Sequence, residues 1–175
     1  MNVSLPEILP LVSHEVEDIS LLADTIWRHH YATIISLAQI DYMLAQRYRP
    51  DLIQSQLADP DIWWRKLVLA DRIIGFSCYV RDSRPETLKI DKFYIHCDHH
   101  RQGYGAMIVA DAVKILRELD LQTLILTVNK NNHAAISAYR HYGFEITADS
   151  VVDIGGGFVM NDYLMTLTHW KRWDS

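Results

Sequence analysis

One stretch of this 175-residue chain, from Leu88 to Leu119, constrains its fold more than any other. It begins with the β-branched and aromatic run Leu88 to Ile95, which is typical of a strand. A polar loop, His96 to Gln102, comes next, and Gly103-Tyr104-Gly105-Ala106 then begins a helix. Apolar residues recur in that helix at steps of three and four, which predicts one buried stripe. The stripe consists of Val109, Ala112, Val113, Leu116 and Leu119.

The order of strand, glycine turn and helix describes a cradle for a phosphate group. The first N–H groups of a helix have no partner inside it and carry the positive end of its dipole. A turn without Cβ atoms also lets a bulky anion come close to these groups. The sequence therefore predicts that a phosphorylated ligand binds at Gly103 to Ala106. The alternative is that the glycines only permit a tight turn.

Two familiar nucleotide-binding motifs do not fit this turn. A dinucleotide fingerprint requires a third glycine where Ile108 stands, and an acidic residue where Leu121-Gln122-Thr123 lies. A Walker loop requires Gly-Lys-Ser/Thr, which the turn lacks. A dehydrogenase is therefore the least favoured hypothesis.

A second motif lies between Asn132 and Phe144, with Asn-x-x-Ala at its start and Tyr-x-x-x-Gly-Phe at its end. Together with the glycine turn, it resembles the GNAT superfamily of acyl-CoA N-acyltransferases, and the resemblance extends from about Trp63 to the C-terminus. The family's pyrophosphate loop has the pattern Gln/Arg-x-x-Gly-x-Gly/Ala, and this chain has His100 at the first position. Backbone amides form most of that cradle, so the resemblance still implies cofactor binding without a side-chain role for His100.

The resemblance implies an α/β (α+β) fold with a mixed, mostly antiparallel central sheet, flanked by helices and splayed between the fourth and fifth strands. The sequence pattern agrees, since it predicts the order β, helices, β-β-β, α, β, α, β-β. Regular alternation is lost at Phe93-Tyr94-Ile95, as a bulge or splay would cause. Thr123 to Val128 is apolar on both faces, which is typical of a central parallel strand. The length predicts a single domain, residues 1–175.

The resemblance also implies that acetyl-CoA is the co-substrate. Backbone groups of Tyr94 and Ile95 would bind its pantetheine arm, and the Ile95 N–H would polarise the thioester. Asn132 has two candidate roles, as a helix N-cap or as a pantetheine ligand. Arg101 and Lys130 are either partners of the outer phosphates or solvated charges. The cofactor-binding prediction comprises Tyr94, Ile95, Arg101, Gln102, Gly103, Tyr104, Gly105, Ala106 and Asn132.

Two residues are predicted to carry the chemistry by analogy with the family. Tyr139 would assist the departing sulfur, and its alternative role is that of a core aromatic in a stripe with Ala135, Ile136 and Tyr142. Asp91 would accept the proton of the attacking amine, and its alternative is a solvated residue between two lysines. The acceptor pocket is expected in the first helices and the final hairpin. Its candidates are Trp27, Tyr31, Tyr42, Asp162 and Tyr163.

A metal site is not expected. The run His96-Cys97-Asp98-His99-His100 contains ligand types, but neighbouring residues on an extended loop point in different directions. His96 or His99 could instead handle a proton. Cys78 and Cys97 are too few for a disulfide framework, so two reduced thiols are expected.

Composition narrows the partners. A net charge of −5 argues against nucleic acid or an anionic membrane and is compatible with a cationic small molecule. The absence of a signal-peptide pattern predicts a cytoplasmic protein, and a homodimer is left open. Two hypotheses follow: an N-acetyltransferase acting on a small-molecule amine such as a polyamine, or on a peptide amine, and a non-catalytic acyl-CoA-binding regulatory module. The retained Tyr139 favours the enzyme.

Overall fold

The computed structural model describes residues 5–173, and the chain divides into two compact units. The first unit contains the described residues up to Tyr79 together with Lys92–Ile108. The second contains Val80–Asp91 and the described residues from Val109 onward.

The elements follow the predicted order. The strands are β1 (Glu7–Pro10), β2 (Ile62–Leu69), β3 (Arg72–Arg81), β4 (Thr87–Ile95), β5 (Thr123–Asn129), β6 (Phe144–Gly155) and β7 (Phe158–Leu167). The helices are α1 (Val16–His30), α2 (Leu37–Arg47), α3 (Pro50–Leu57), α4 (Tyr104–Glu118) and α5 (His133–Tyr142). Short 3₁₀ turns precede α1, follow it, and lie between β4 and α4.

All seven strands belong to one sheet with the order β1-β2-β3-β4-β5-β7-β6. The pair β4 and β5 is parallel, whereas β1–β2, β5–β7 and β6–β7 are antiparallel, which confirms the predicted mixed sheet. The β4–β5 ladder joins Thr87–Ile90 to Thr123–Leu126, and both strands continue beyond it. This early end of the pairing agrees with the predicted splay.

Helix α1 supplies the core of the first unit. Its buried side chains Ile19, Ala23, Ile26 and Trp27 recur at helical spacing, while Glu17 and Asp18 occupy its first turn, where the helix dipole favours acidic groups. Ser36 caps α2 by accepting a hydrogen bond from the Gln39 N–H, 3.1 Å away. Pro50 occupies the first turn of α3, where its missing N–H costs nothing.

The hairpin between β2 and β3 turns at Ala70 and Asp71, whose φ angles are 48° and 60°. Positive φ at both central residues is the geometry that matches the twist of a two-residue hairpin. β2 and β3 are accordingly neighbours in the sheet.

The second unit contains the predicted helix α5 between Asn132 and Gly143. The predicted buried stripe of this helix is wrong in part, because Ile136 is buried while Ala135, Tyr139 and Tyr142 are half-buried. In α4 the predicted stripe is buried except at Leu119, which follows the end of the helix and is half-buried.

No helix within residues 5–173 is both long and apolar enough to cross a membrane. The single domain over residues 1–175 stays a prediction, and both ends of that range lie outside the described residues.

Candidate active site

The glycine turn has the geometry of an anion-binding loop. Arg101 and Gly103 have φ angles of 59° and 83°, whereas the φ angle of Gln102 between them is not positive. Successive N–H groups in a turn of this kind can form an anion-binding concavity. The Ala106 N–H bonds to the Gly103 carbonyl at 3.1 Å and closes the first turn of α4.

Space for a ligand lies over Gly103. Apart from Gly103 itself and its two chain neighbours, no described residue has a heavy atom within 4 Å of the position that a Cβ on Gly103 would take. Gly103 is exposed, as are the side chains of Arg101 and Gln102, whereas Gly105 is buried and Tyr104 and Ala106 are half-buried. The exposed end of the predicted loop is therefore the part that an anion can reach.

His100 connects this loop to the end of β4, a role that the sequence did not predict. Its Nε2 lies 2.8 Å from the Ile95 carbonyl oxygen, so the ring donates a hydrogen bond there as the Nε2–H tautomer or as the cation. Within the loop, Gln102 Nε2 donates a hydrogen bond to the Asp98 carbonyl at 3.3 Å. The loop is thus held to the strand that was predicted to bind pantetheine.

Gly75 on β3 is a second residue that the sequence analysis missed. It is buried, and a Cβ there would lie 3.2 Å from the Cα of Ile95. The neighbouring Ile74 carbonyl accepts a hydrogen bond from the His96 N–H at 2.8 Å. A lone glycine inside a strand pattern is the signal that could have indicated this close approach.

The loop after β4 was predicted to be extended, and this prediction is wrong, because Cys97–His99 forms a 3₁₀ turn. That turn brings one ligand atom each of His96, Cys97 and Asp98 within 4.8 Å of one another. The Asp98 N–H donates to His96 Nδ1 at 3.3 Å, which occupies that nitrogen. Neither Cys78 nor Cys97 forms a disulfide among the residues that the structure describes.

An aromatic cluster in the first unit contains two of the predicted acceptor residues, Trp27 and Tyr31, and the predicted pantetheine residue Tyr94. Trp27 is 2% exposed, and its ring centroid lies 4.4 Å from that of Tyr31 and 5.9 Å from that of Tyr94. Tyr48, also buried, lies 5.7 Å from Trp27 and 6.3 Å from Tyr94. Tyr42, another acceptor candidate, is half-buried on α2.

Two cations act on this cluster. Lys92 is only 4% exposed, and its Nζ lies 4.9 Å from the Trp64 ring centroid and 5.8 Å from that of Tyr48. Burial raises the pKa of the Tyr94 hydroxyl well above its usual value, the neighbouring Tyr31 and Tyr48 raise it further, and Arg47 opposes them. Two cationic side chains therefore lie beside rings that are buried or half-buried.

In the second unit, Tyr139 lies half-buried on α5 with its ring centroid 6.1 Å from that of Phe144. Asn132 is 4% exposed and caps the same helix, since its Oδ1 accepts from the Ala135 N–H at 3.3 Å. The N-cap role is confirmed, and this bond leaves the amide nitrogen of Asn132 to other partners.

Asp91 is not the solvated residue of the alternative interpretation. Its side chain is 17% exposed, and its Oδ1 lies 3.1 Å from Lys89 Nζ. The Lys89 ammonium occupies Asp91 Oδ1, so it must move aside before that oxygen can accept a proton from an amine.

The remaining predicted residues lie on or beside β7. Asp162 is 4% exposed, and Tyr163 is half-buried with Lys130 Nζ 5.2 Å from its ring centroid. Lys130 also forms an ion pair with the exposed carboxylate of Asp149 at 3.1 Å, and its role toward the outer phosphates stays a prediction.

An open groove of about 450 Å³ lies at the C-terminal end of α5. None of the predicted site residues lines it, and its polar lining is mostly exposed. The lining residues are Arg140, Gly143, Phe144, Glu145, Ile146, His169 and Arg172.

Comparison with known proteins places these elements in a family. The model of the Acetyltransferase (GNAT) family matches residues 25–144. The PaiA N-acetyltransferase of Thermoplasma acidophilum, solved with coenzyme A, is 20% identical with a TM-score of 0.79, over 93% of this chain and 98% of that chain. No curated protein sequence matches the chain.

Two further solved structures are similar in fold. An N-acetyltransferase from Rhodopseudomonas palustris is 17% identical with a TM-score of 0.75, over 95% of this chain and 97% of that chain. A chimera of the Vibrio cholerae spermidine N-acetyltransferase SpeG and hSSAT is 15% identical with a TM-score of 0.72, over 98% and 99% of the two chains.

Proposed function

Because the chain belongs to the GNAT family of acetyltransferases, we propose that it transfers the acetyl group of acetyl-CoA to a primary amine by direct attack in a ternary complex. The acceptor is a small molecule, such as a polyamine, or a peptide amine. The observation that carries this proposal is the anion-binding turn at Arg101–Gly103, with open space over Gly103 and the start of α4 behind it.

The turn binds the pyrophosphate through backbone N–H groups of Gly103, Tyr104 and Gly105, whereas the Ala106 N–H already donates to the Gly103 carbonyl. Arg101 and Gln102, both exposed, are the side chains available to the phosphates. Tyr94 and Ile95 offer backbone groups to the pantetheine arm, and the amide nitrogen of Asn132 is a further donor to it.

Transfer forms one bond, between the amine nitrogen and the thioester carbon, and breaks the carbon–sulfur bond. The Ile95 N–H stabilises the oxyanion as it forms, and the Tyr139 hydroxyl donates a hydrogen bond to the departing thiolate. The nitrogen loses its second proton as the carbon–sulfur bond breaks, and this proton neutralises the thiolate to give the coenzyme A thiol. Complete proton transfer from a phenol to a thiolate is uphill by about 2 kcal/mol at their usual pKa values, so a hydrogen bond in the transition state is favoured.

The amine must lose a proton before it attacks. An alkylammonium with a pKa of about 10.4 is neutralised at pH 7 at a cost of roughly 4–5 kcal/mol. Asp91 or a water molecule accepts this proton. The Lys89 ion pair makes water the stronger candidate in the arrangement described here.

Gly103 offers a matched test of the cradle. Asn and Asp tolerate a left-handed backbone better than most residues, and they differ in charge. Gly103→Asp should weaken acetyl-CoA binding at least 10-fold more than Gly103→Asn, because a carboxylate near a phosphate is repelled by several kcal/mol. Calorimetry measures both affinities, and added salt should narrow the difference.

Equal affinities in two folded variants would contradict the cradle. Turnover is then measured as thiol release from acetyl-CoA with spermidine, amino acids, amino-acid amides and peptides as acceptors. Acetyl-CoA binding without acetylation of any of these amines would favour the regulatory acyl-CoA-binding module over the enzyme.

A further inference from the structure

The indole N–H of Trp27 is a buried donor without a partner. Its Nε1 is inaccessible to solvent, and no hydrogen-bond acceptor among the described residues reaches it. Burying an unsatisfied donor costs about 1–3 kcal/mol, so such groups call for an explanation. A ligand oxygen that accepts this hydrogen bond would remove the cost.

A route to this donor passes Tyr31. Tyr31 begins the 3₁₀ turn after α1, is half-buried, and covers the Trp27 ring at a centroid distance of 4.4 Å. Tyr94 is also half-buried, and its side chain is hydrogen-bonded to that of Tyr31. A ligand that reaches the indole N–H from this side therefore requires Tyr31 to rotate away from Tyr94.

The Trp27 N–H selects the kind of group that can enter, because it requires a hydrogen-bond acceptor. An ammonium has no atom that accepts from this N–H. A carboxylate or an amide carbonyl has one. Two cationic side chains lie at the cluster, since Lys92 is buried against the rings of Tyr48 and Trp64 and Arg47 acts on Tyr94.

Two acidic groups on the neighbouring helices are already engaged by a cation. Asp24 on α1 and Asp41 on α2 both contact Arg28, at 3.0 and 2.8 Å. Both carboxylates are about half exposed, so they belong to the surface and not to the aromatic cluster.

We infer that the aromatic cluster around Trp27 binds an acceptor amine that also carries a carboxylate or amide carbonyl, whose oxygen accepts the Trp27 Nε1 hydrogen bond. Amino acids and peptide-like amines are thereby preferred over polyamines. The inference rests on the proposed acetyltransferase function, and it assigns Trp27 as a specificity residue.

A matched series of acceptors tests this assignment. Alanine, alaninamide and ethylamine share a primary amine and differ in the oxygen-bearing group, and spermidine represents the polyamines. With the wild-type protein, kcat/KM for alanine or alaninamide should exceed that for ethylamine and spermidine by about 10-fold or more. Trp27→Phe keeps an aromatic ring and removes the N–H, so that preference should fall to within about 3-fold.

A binding readout keeps the test independent of turnover. In ¹⁵N-labelled protein, the indole N–H resonance of Trp27 is assigned by its loss in Trp27→Phe. Its chemical shift should change when alaninamide or alanine is added and should not change when ethylamine is added. The Trp64 indole, whose Nε1 already donates to Gln56 at 3.0 Å, is the internal control. A Trp27 resonance that is unmoved by every acceptor would overturn the inference, as would equal losses of kcat/KM for all acceptors in Trp27→Phe. Failure of the proposed function would instead be seen as a lack of acetyl-CoA binding or of thiol release with every acceptor.

Discussion

A Cβ atom on Gly75 of β3 would lie 2.7 Å from the carbonyl oxygen of Tyr94 on β4. Real Cβ atoms essentially never come this close to another heavy atom, and the obstacle is backbone that cannot rotate away. Glycine therefore permits β3 to approach β4 where Tyr94 and Ile95 present the groups proposed to bind pantetheine.

Gly75→Ala should displace this end of β4. We expect a loss of about 1–3 kcal/mol in the free energy of unfolding, as for other overpacked interiors, together with weaker acetyl-CoA binding. Urea unfolding and calorimetry measure the two effects. Arg72→Ala, at the exposed start of the same strand, is the control and should change neither. An unaltered acetyl-CoA affinity in Gly75→Ala would show that the approach is irrelevant to the site.

Tyr139→Phe should separate chemistry from binding. The ring contact with Phe144 remains and only the hydroxyl is lost, so folding and the KM for acetyl-CoA should stay near wild type. Loss of a donor to the leaving thiolate should slow the chemical step about 30-fold to 1000-fold. Single-turnover rates with a competent amine measure this directly.

Tyr142 on the same helix provides the control for that experiment. Burial raises the pKa of its hydroxyl, and its ring packs at 6.2 Å from Trp173. Tyr142→Phe should leave the single-turnover rate unchanged. Wild-type chemistry in Tyr139→Phe would make Tyr139 a packing residue only.

Glu15 should give the first unit a dependence on acidic pH. Burial acts to raise the pKa of Glu15, but hydrogen bonds from Lys66 and from the Val12 N–H outweigh it, so the pKa lies below its usual 4.5. Above pH 4.5 the ion pair is intact, and its stabilisation is lost as the pH falls through the lowered pKa. Glu15→Gln should cost about 1 kcal/mol at pH 7.

The comparison of wild type with Glu15→Gln isolates this group from other carboxylates. Urea midpoints at pH 7 should differ, and the difference should shrink as the pH is lowered below 4.5. A difference that is constant over this range would mean that the charge of Glu15 contributes nothing.

Gly143 should tolerate a side chain poorly for two separable reasons. Its φ is 98°, and a Cβ there would lie 1.7 Å from a terminal nitrogen of Arg172, which also bonds to the Tyr142 carbonyl. Gly143→Ala should therefore cost about 1–3 kcal/mol of stability. In an Arg172→Ala background only the backbone strain, about 1 kcal/mol, should remain. Additive costs in the double-mutant cycle would exclude the clash.

Helix α5 shows how far local sequence signals reach. Asn132 begins the helix as its candidate N-cap role predicts, and Gly143 ends it, because a cap and a left-handed residue are specified by the nearest few residues. The position of β7 between β5 and β6 was not predicted, since pairing between distant strands depends on the whole sheet.

Lys92 shows why part of the candidate site was missed. The sequence pattern presents Lys92, like Lys89, only as a charged neighbour of Asp91. Lys92 nevertheless continues the alternation of Leu88 and Ile90, and all three side chains are buried. Hydrophobic patterning excludes lysine from a core face, whereas the Tyr48 and Trp64 rings accept it. Tyr48 lies between α2 and α3, and Trp64 lies on β2. No local sequence pattern connects these two segments to β4.

The strand order also has a consequence for how the second unit is assembled. β7 is the last strand in sequence yet an interior one, with β5 on one side and β6 on the other. During synthesis β6 therefore has no partner in the sheet until Phe158–Leu167 has left the ribosome. Until then β5 and β6 both present unpaired edges, so a nascent chain stalled before β7 would be prone to aggregation.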